Sequence, residues 1–238
     1  MAKMTSSFGA AMEALDRSAA RPTEFCRPFV DLFPVTGASV STVGNFLGSE
    51  TLSASDDVAA RLDELQFDLG EGPCWDAVRS GRAVLEPDFT SESPARWPAF
   101  SAALDSEALR SIFAFPLAIG PLRIGAVDLY SVDRVDLDRT QAEQADAMAG
   151  AIGRHVLRQA LNAVGRDYDY NGNAYSRRLV HQATGMVLAQ LDISADDARL
   201  VIQGHAFAAS RSMMDVAQDI VDGRIDFADD DVAIGDPA

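Results

Sequence analysis

Two Ser-x-x-Asp signatures, each standing directly ahead of an apolar run, restrict the fold of this chain more than any other feature. Ser194-Ala-Asp-Asp197 and Ser212-Met-Met-Asp215 each place a hydroxyl where it can cap the unpaired N–H groups of a first helical turn. Behind the first cap, Ala198, Val201, Ile202 and Ala209 supply an apolar stripe; behind the second, Met213, Val216, Ala217 and Ile220 fall on one side. Upstream, Val180, Ala183, Val187 and Leu191 recur at spacings of three and four, and Asp192-Ile193 interrupts that run. The spacing predicts three short helices that bury one another. Taken alone, such a unit is a helical output module or a dimerisation hairpin.

Charge narrows the partners. The 238-residue chain carries a net charge of −16, which argues against passive attraction to nucleic acid. Residues 163–227 hold 6 Arg and 9 Asp with no Lys, so the helical unit is the least acidic part without being basic. The length fits one large or two modest domains. No apolar h-region follows Met1-Ala-Lys-Met4, and no stretch approaches a membrane span, so a cytoplasmic protein is expected. Cys26 and Cys74 are too few for a disulfide framework and fit a reducing compartment. His155, His181 and His205 lack a metal spacing, and neither a metal nor a cofactor is expected.

The first 162 residues read differently. Residues 5–34 form one or two short helices broken near Arg21-Pro22. Strands follow at Val40–Val43 and near Thr51–Ser53, and Ser55-Asp56-Asp57 caps a helix running through Leu69. Gly70-Glu-Gly-Pro73 is a tight loop opening a helix through Trp75 and Val78. A short strand at Ala83–Leu85 precedes a helix from Trp97 to Leu109. Ile112–Ile119 and Leu122–Tyr130 make a hairpin around Gly120-Pro121, with an edge or bulge at Pro116, which has no N–H to donate. Leu137–Leu161 is a long helix; its stripe of Ala145, Met148, Ala149, Ile152, Val156 and Ala160 predicts a parallel homodimer. The order of elements is that of an antiparallel sheet flanked by helices, giving an α+β protein overall.

Specific residues carry two family resemblances. His181-Gln-Ala-Thr-Gly-Met-Val-Leu-Ala-Gln-Leu191, followed by Arg211-Ser-Met-Met-Asp-Val-Ala-Gln-Asp-Ile-Val221, resembles the ANTAR module. Leu65-Gln-Phe-Asp-Leu-Gly-Glu-Gly-Pro-Cys-Trp75, Arg96-Trp-Pro98, Phe113-Ala-Phe-Pro-Leu-Ala-Ile-Gly120 and Gly125-Ala-Val-Asp-Leu-Tyr130 resemble GAF sensor domains. Together they cover roughly residues 23–227. The expected organisation is an N-terminal helical segment (1–22), a GAF-like sensor ending in a long signalling helix (23–162), a three-helix ANTAR-like module (163–227) and an acidic tail (228–238).

The resemblance implies a transcription antitermination regulator, whose ANTAR dimer grips RNA hairpins in leader transcripts and whose sensor receives a small-molecule or protein signal. Residues carried over as RNA contacts are His181, Gln182, Thr184, Gly185 and Arg211, with Arg177 and Arg178 a turn upstream. Many related modules carry Lys where this chain has Thr184, and the missing cation would weaken phosphate binding. The expected sensor cavity lies between the sheet and Leu69–Trp97; Phe89, Trp97, Phe113 and Phe115 are its candidate ligand-binding residues. Other readings stay open: Arg177-Arg178 as a solvated face, Arg211 as a local ion pair, His205 as a packed histidine, and a dimeric scaffold without RNA binding. A DNA-binding helix-turn-helix is a further reading, and it lacks the usual turn glycine and basic recognition helix. Some GAF domains reduce methionine sulfoxide through cysteines, and Cys74 sits at a helix N-terminus. With only Cys26 as a resolving partner, no catalysis is expected.

Overall fold

A computed structural model describes residues 7–19, 21–43, 47–89, 96–104, 109–163 and 177–228. The chain forms two compact units, Met1–Ser176 and Arg177–Ala238. Most of the expected acidic tail lies outside the described residues.

In the first unit, helices α1 (Phe8–Ser18) and α2 (Arg27–Leu32), separated by a 3-10 turn at Pro22–Glu24, precede strands β1 (Gly37–Thr42) and β2 (Glu50–Ala54). Then come α3 (Asp57–Leu69), α4 (Pro73–Ser80), β3 (Val84–Glu86), α5 (Pro98–Ala103), β4 (Ser111–Ile119), β5 (Leu122–Ser131) and α6 (Arg139–Ala163). The sheet is antiparallel throughout, in the order β2-β1-β5-β4-β3. Gly120 closes the β4–β5 hairpin at φ 59°, and the register shifts just past Pro116, the irregularity its missing N–H predicts. Differences from the sequence expectation are local. α5 ends at Ala103 because Leu104 turns extended, and β1 starts at Gly37, three residues before Val40. α6 starts later than Leu137, behind a capping box: the Asp138 carboxylate accepts the Gln141 N–H at 2.8 Å, and Gln141 accepts the Asp138 N–H at 3.0 Å.

Strand alternation separates two layers. Val40, Phe113, Phe115, Leu117, Val127 and Leu129 point to one face and pack with Leu15 of α1, Phe29 of α2 and its flanking Phe25 and Phe33, and Met148 and Ile152 of α6. Five of the largest fully buried side chains lie here and are phenylalanines, Phe25, Phe29, Phe33, Phe113 and Phe115, each contributing roughly 1.5–3 kcal/mol of burial. The stripe of α6 is consumed in this layer: Ala145, Met148, Ala149, Ile152 and Val156 are buried against the chain's own sheet. This corrects the expected homodimer seam, since those positions have no surface left for a partner. His155 on α6 also reaches Asp16 on α1 at 3.1 Å.

On the other face lie α3, α4 and α5. Asp56 caps α3 by accepting the Ala59 N–H at 2.9 Å, and Gly70 ends it at φ 61°. Leu62, Leu65, Ala77, Phe89, Trp97, Phe100, Ile112 and Tyr130 form this layer's apolar part.

The second unit contains α7 (Arg178–Leu191), α8 (Ala195–Ala208) and α9 (Met213–Val221). Ser194 accepts the Asp197 N–H and Ser212 the Asp215 N–H, each at 3.1 Å, so both capping signatures act as spaced. Asp192 turns the chain between α7 and α8 at φ 52°. Val180, Ala183 and Val187 from α7 are buried, as are Ala198, Ile202 and Ala206 from α8 and Met213, Val216, Ala217 and Ile220 from α9. Leu191 is partly buried, whereas Ala209 is exposed just past the end of α8.

Candidate functional site

Each of the two units carries a candidate site. In the first unit, the face under α3 and α4 has a polar centre. The register sets Asp128 of β5 opposite Ser39 of β1 and Ala114 of β4, while Ser41 faces Ala126 and Thr51. From above, α3 lowers Asp63 and Gln66 onto this patch. The Gln66 amide donates to Asp128 Oδ2 at 2.7 Å, and the Thr51 hydroxyl donates to Asp63. Gln66 Oε1 accepts the Cys74 N–H at 2.8 Å and its carbonyl accepts the Trp75 indole at 2.6 Å, so one side chain and its backbone join α3, α4 and β5. Gly72 runs at φ 137° against Gln66, where any Cβ would collide with that amide. All of these groups are buried: Ser39, Ser41, Thr51, Asp63, Gln66 and Asp128. Burial, reinforced by the neighbouring charge of Asp63, holds the Asp128 carboxyl well above the usual carboxylate range. Among the described residues no donor reaches Asp128 Oδ1.

The aromatic residues expected to line the sensor cavity separate. Phe89 and Trp97 do lie on the α3–α5 face, stacked at 6.4 Å, with Phe100 at 6.2 Å from Phe89. The Trp97 indole donates to Asp76 at 3.1 Å, and Arg96 lies over the Trp97 ring. Phe113 and Phe115 occupy the opposite layer, because alternate residues of a strand point to opposite sides. They cannot share a cavity with Phe89 and Trp97. Residues 90–95 of the expected covering segment lie outside the described residues. A cleft of about 690 Å³ instead opens beside α1 and α2, where Arg21 pairs with Glu24 and Arg27 pairs with Asp31 at 3.0 Å.

Cys26 and Cys74 are free, buried and held in different surroundings. Cys26 belongs to the α1/α2/α6 layer, where burial pushes its thiol up to about 12. Cys74 sits in the first turn of α4 beside Gln66. Among the described residues no group of three or more His, Cys, Asp or Glu is arranged to hold a metal. Among the described residues no helix is long and apolar enough to cross a membrane.

In the second unit, Arg178, His181, Gln182 and Gly185 follow the helical period and share the exposed face of α7. Arg177 does not join them: it is only 4% exposed whereas Arg178 is exposed, so the arginine pair is split between interior and solvent. The Thr184 hydroxyl donates to the Val180 carbonyl at 2.7 Å, engaged within its own helix. Gly185 has open space where a Cβ would stand, so no neighbouring helix requires it. Arg211 bonds Asp219 at 2.7 Å, and Arg224 holds the same carboxylate at 2.6 Å. The two guanidinium groups keep the Asp219 carboxyl below its ordinary range. His205 is half-buried, edge-on to Phe227 at 5.5 Å. Leu200 and Phe207 are exposed on α8, Phe207 by 68%.

Sequence reasoning passed over Asp63, Gln66 and Asp128. Its signal was present in the alternation Ser39-Val-Ser41 and Ala126-Val-Asp128-Leu129. A polar strand face ordinarily means solvent, and only the two covering helices make it interior.

The GAF domain family model matches residues 23–156, and the ANTAR domain model matches residues 172–221. No curated protein matches the chain. Among solved structures, the GAF domain of a phosphoenolpyruvate-protein phosphotransferase from Acinetobacter is 9% identical, with a TM-score of 0.51 over 65% of this chain and 92% of that one. Its counterpart from Coxiella burnetii is 9% identical, with a TM-score of 0.50 over 69% and 99%. A free methionine-R-sulfoxide reductase from Neisseria meningitidis is 16% identical, with a TM-score of 0.48 over 66% and 96%, a likeness too distant to bear on activity.

Proposed function

Because the chain belongs to the GAF domain family and carries an ANTAR domain, we propose that it is a signal-responsive transcription antitermination regulator. In this reading the ANTAR unit binds RNA hairpins of leader transcripts in the cytoplasm as part of a homodimer. The GAF unit gates that binding in response to a small molecule or a protein partner. The observation that carries the reading is the ANTAR match over residues 172–221, which falls on α7–α9. The outward face of α7 gathers a cation, an imidazole, an amide and an open glycine, groups suited to phosphates and unpaired loop bases. Such a homodimer forms through surfaces other than the buried stripe of α6.

Fluorescence anisotropy with a labelled structured leader RNA from the host, against duplex DNA of the same sequence, tests it. Hairpin binding that weakens as salt rises is the expected result. Absence of hairpin binding at low salt defeats it.

Two observations favour a second reading, a dimeric sensor or scaffold without RNA binding. Arg211 is committed to Asp219, and the unit holds more Asp than Arg. The reading includes no catalysis: a thiol reaction at Cys74 needs a resolving thiol, and Cys26 is buried in the layer across the sheet.

A further inference from the structure

The unpartnered oxygen of Asp128 calls for a physical explanation. Leaving a buried carboxylate oxygen without a donor is costly, and most such atoms in folded proteins have a partner. Asp128 is 5% exposed, lies in an interior strand and shares its surroundings with a second buried acid, Asp63. The residues directly across the sheet from it are small, Ser39 on β1 and Ala114 on β4, with Ser41 and Ala126 towards one end of the patch and the larger Ile112 and Tyr130 towards the other. Large apolar side chains of the same layer, Leu62, Phe89, Trp97 and Phe100, belong to the cluster beside this patch. Small residues directly across the sheet, two acids, hydroxyl groups and one oxygen lacking a donor among the described residues describe a receptor for a compact cationic donor.

We propose that Asp128 and Asp63, with the hydroxyls of Ser39, Ser41 and Thr51, form the recognition site of the sensor unit for a small organic ammonium group. This deepens the sensor reading and rests on it. A primary ammonium carries one charge and three donors, matching acceptors that are carboxylate and hydroxyl oxygens. A divalent metal fits poorly, because it requires about six oxygen ligands and no group of three acids is arranged here among the described residues. Without the ammonium, a proton on Asp128 fills the same electrostatic role. Binding therefore exchanges one proton for one ammonium. Gln66 links the event to the fold, since its amide holds Asp128 while its carbonyl oxygen holds the first turn of α4.

The test uses the full chain and methylammonium chloride as probe, with sodium chloride at equal ionic strength and tetramethylammonium chloride as controls. At about five times its Kd, methylammonium should raise Tm by roughly 2–4 °C above sodium. Tetramethylammonium, which has no donor, should not. Below the raised range of Asp128, affinity should increase up to about tenfold per pH unit, and calorimetry in two buffers should detect proton release. Asp128→Asn should lose the response. No shift above sodium, an equal shift with tetramethylammonium, or an affinity that ignores pH overturns the proposal, and these three readings need no variant. Hairpin affinity is measured separately with and without probe. Probe binding that leaves hairpin affinity unchanged upholds the site and overturns the gating reading alone.

Discussion

Replacing Gly185 by Ala separates stability from function at one atom. Gly185 stands in the interior of α7, outside the positive-φ region, and nothing lies within 4 Å of the position a Cβ would take. No steric term therefore opposes the gain in helix propensity, which is about 0.8–1.0 kcal/mol for Gly to Ala. With a urea m-value of about 1 kcal/mol/M for so small a unit, the midpoint should rise by nearly 1 M. Gly204 supplies a matched control, being exposed in α8 with the same open space. Far-UV circular dichroism across a urea series measures both variants. Hairpin affinity should then split them: if RNA approaches the α7 face closely, Gly185→Ala loses about tenfold, or ~1.4 kcal/mol, while Gly204→Ala stays at the wild-type value. A midpoint that fails to rise in either variant refutes the open-helix reasoning. A stabilised Gly185→Ala with full hairpin affinity removes Gly185 from the interface.

Other expectations follow from the same geometry. Arg178→Ala should weaken hairpin binding and reduce the magnitude of its salt slope by about 1, whereas Arg211→Ala and Asp219→Ala should behave alike and act on stability, because the two residues form one clamp; hairpin titrations at several salt concentrations check this. Thr184→Lys should tighten binding and steepen the slope by adding a cation beside that face, read in the same titrations. Ser212→Ala should cost about 1 kcal/mol by freeing the Asp215 N–H, measured by urea denaturation. The folded protein holds the Asp128 proton more tightly than the unfolded chain, so this group's stabilisation is complete below the ordinary carboxylate range and is lost as pH rises towards the folded value. Asp128→Asn should remove that loss in a series of melts across pH, and an unchanged slope would count against it.

The features legible in the sequence were those decided within a few residues. Ser194 and Ser212 cap because a hydroxyl three residues ahead of an N–H reaches it in any context, and Gly120 closes a hairpin because its φ of 59° suits few other residues. The alternation of β4 and β5 likewise forecast the sheet, since a period of two permits little else. What tertiary packing decided is which faces meet. The α6 stripe has the same spacing whether it faces a second copy or its own sheet, and only the apolar layer of β4 and β5 beneath it selected the sheet. Arg177 and Arg178 are neighbours in sequence but divide between interior and solvent, and Arg211 reaches a carboxylate eight positions along that no local pattern assigns to it. Phe113 and Phe115 likewise fell on the far side from Phe89 and Trp97 once the strand's facing was set. Asp128 shows the limit most plainly. Its place on a polar strand face was readable, but its burial depends on α3 and α4 lying across the sheet, and desolvation is a property of the surroundings, absent from the residue itself.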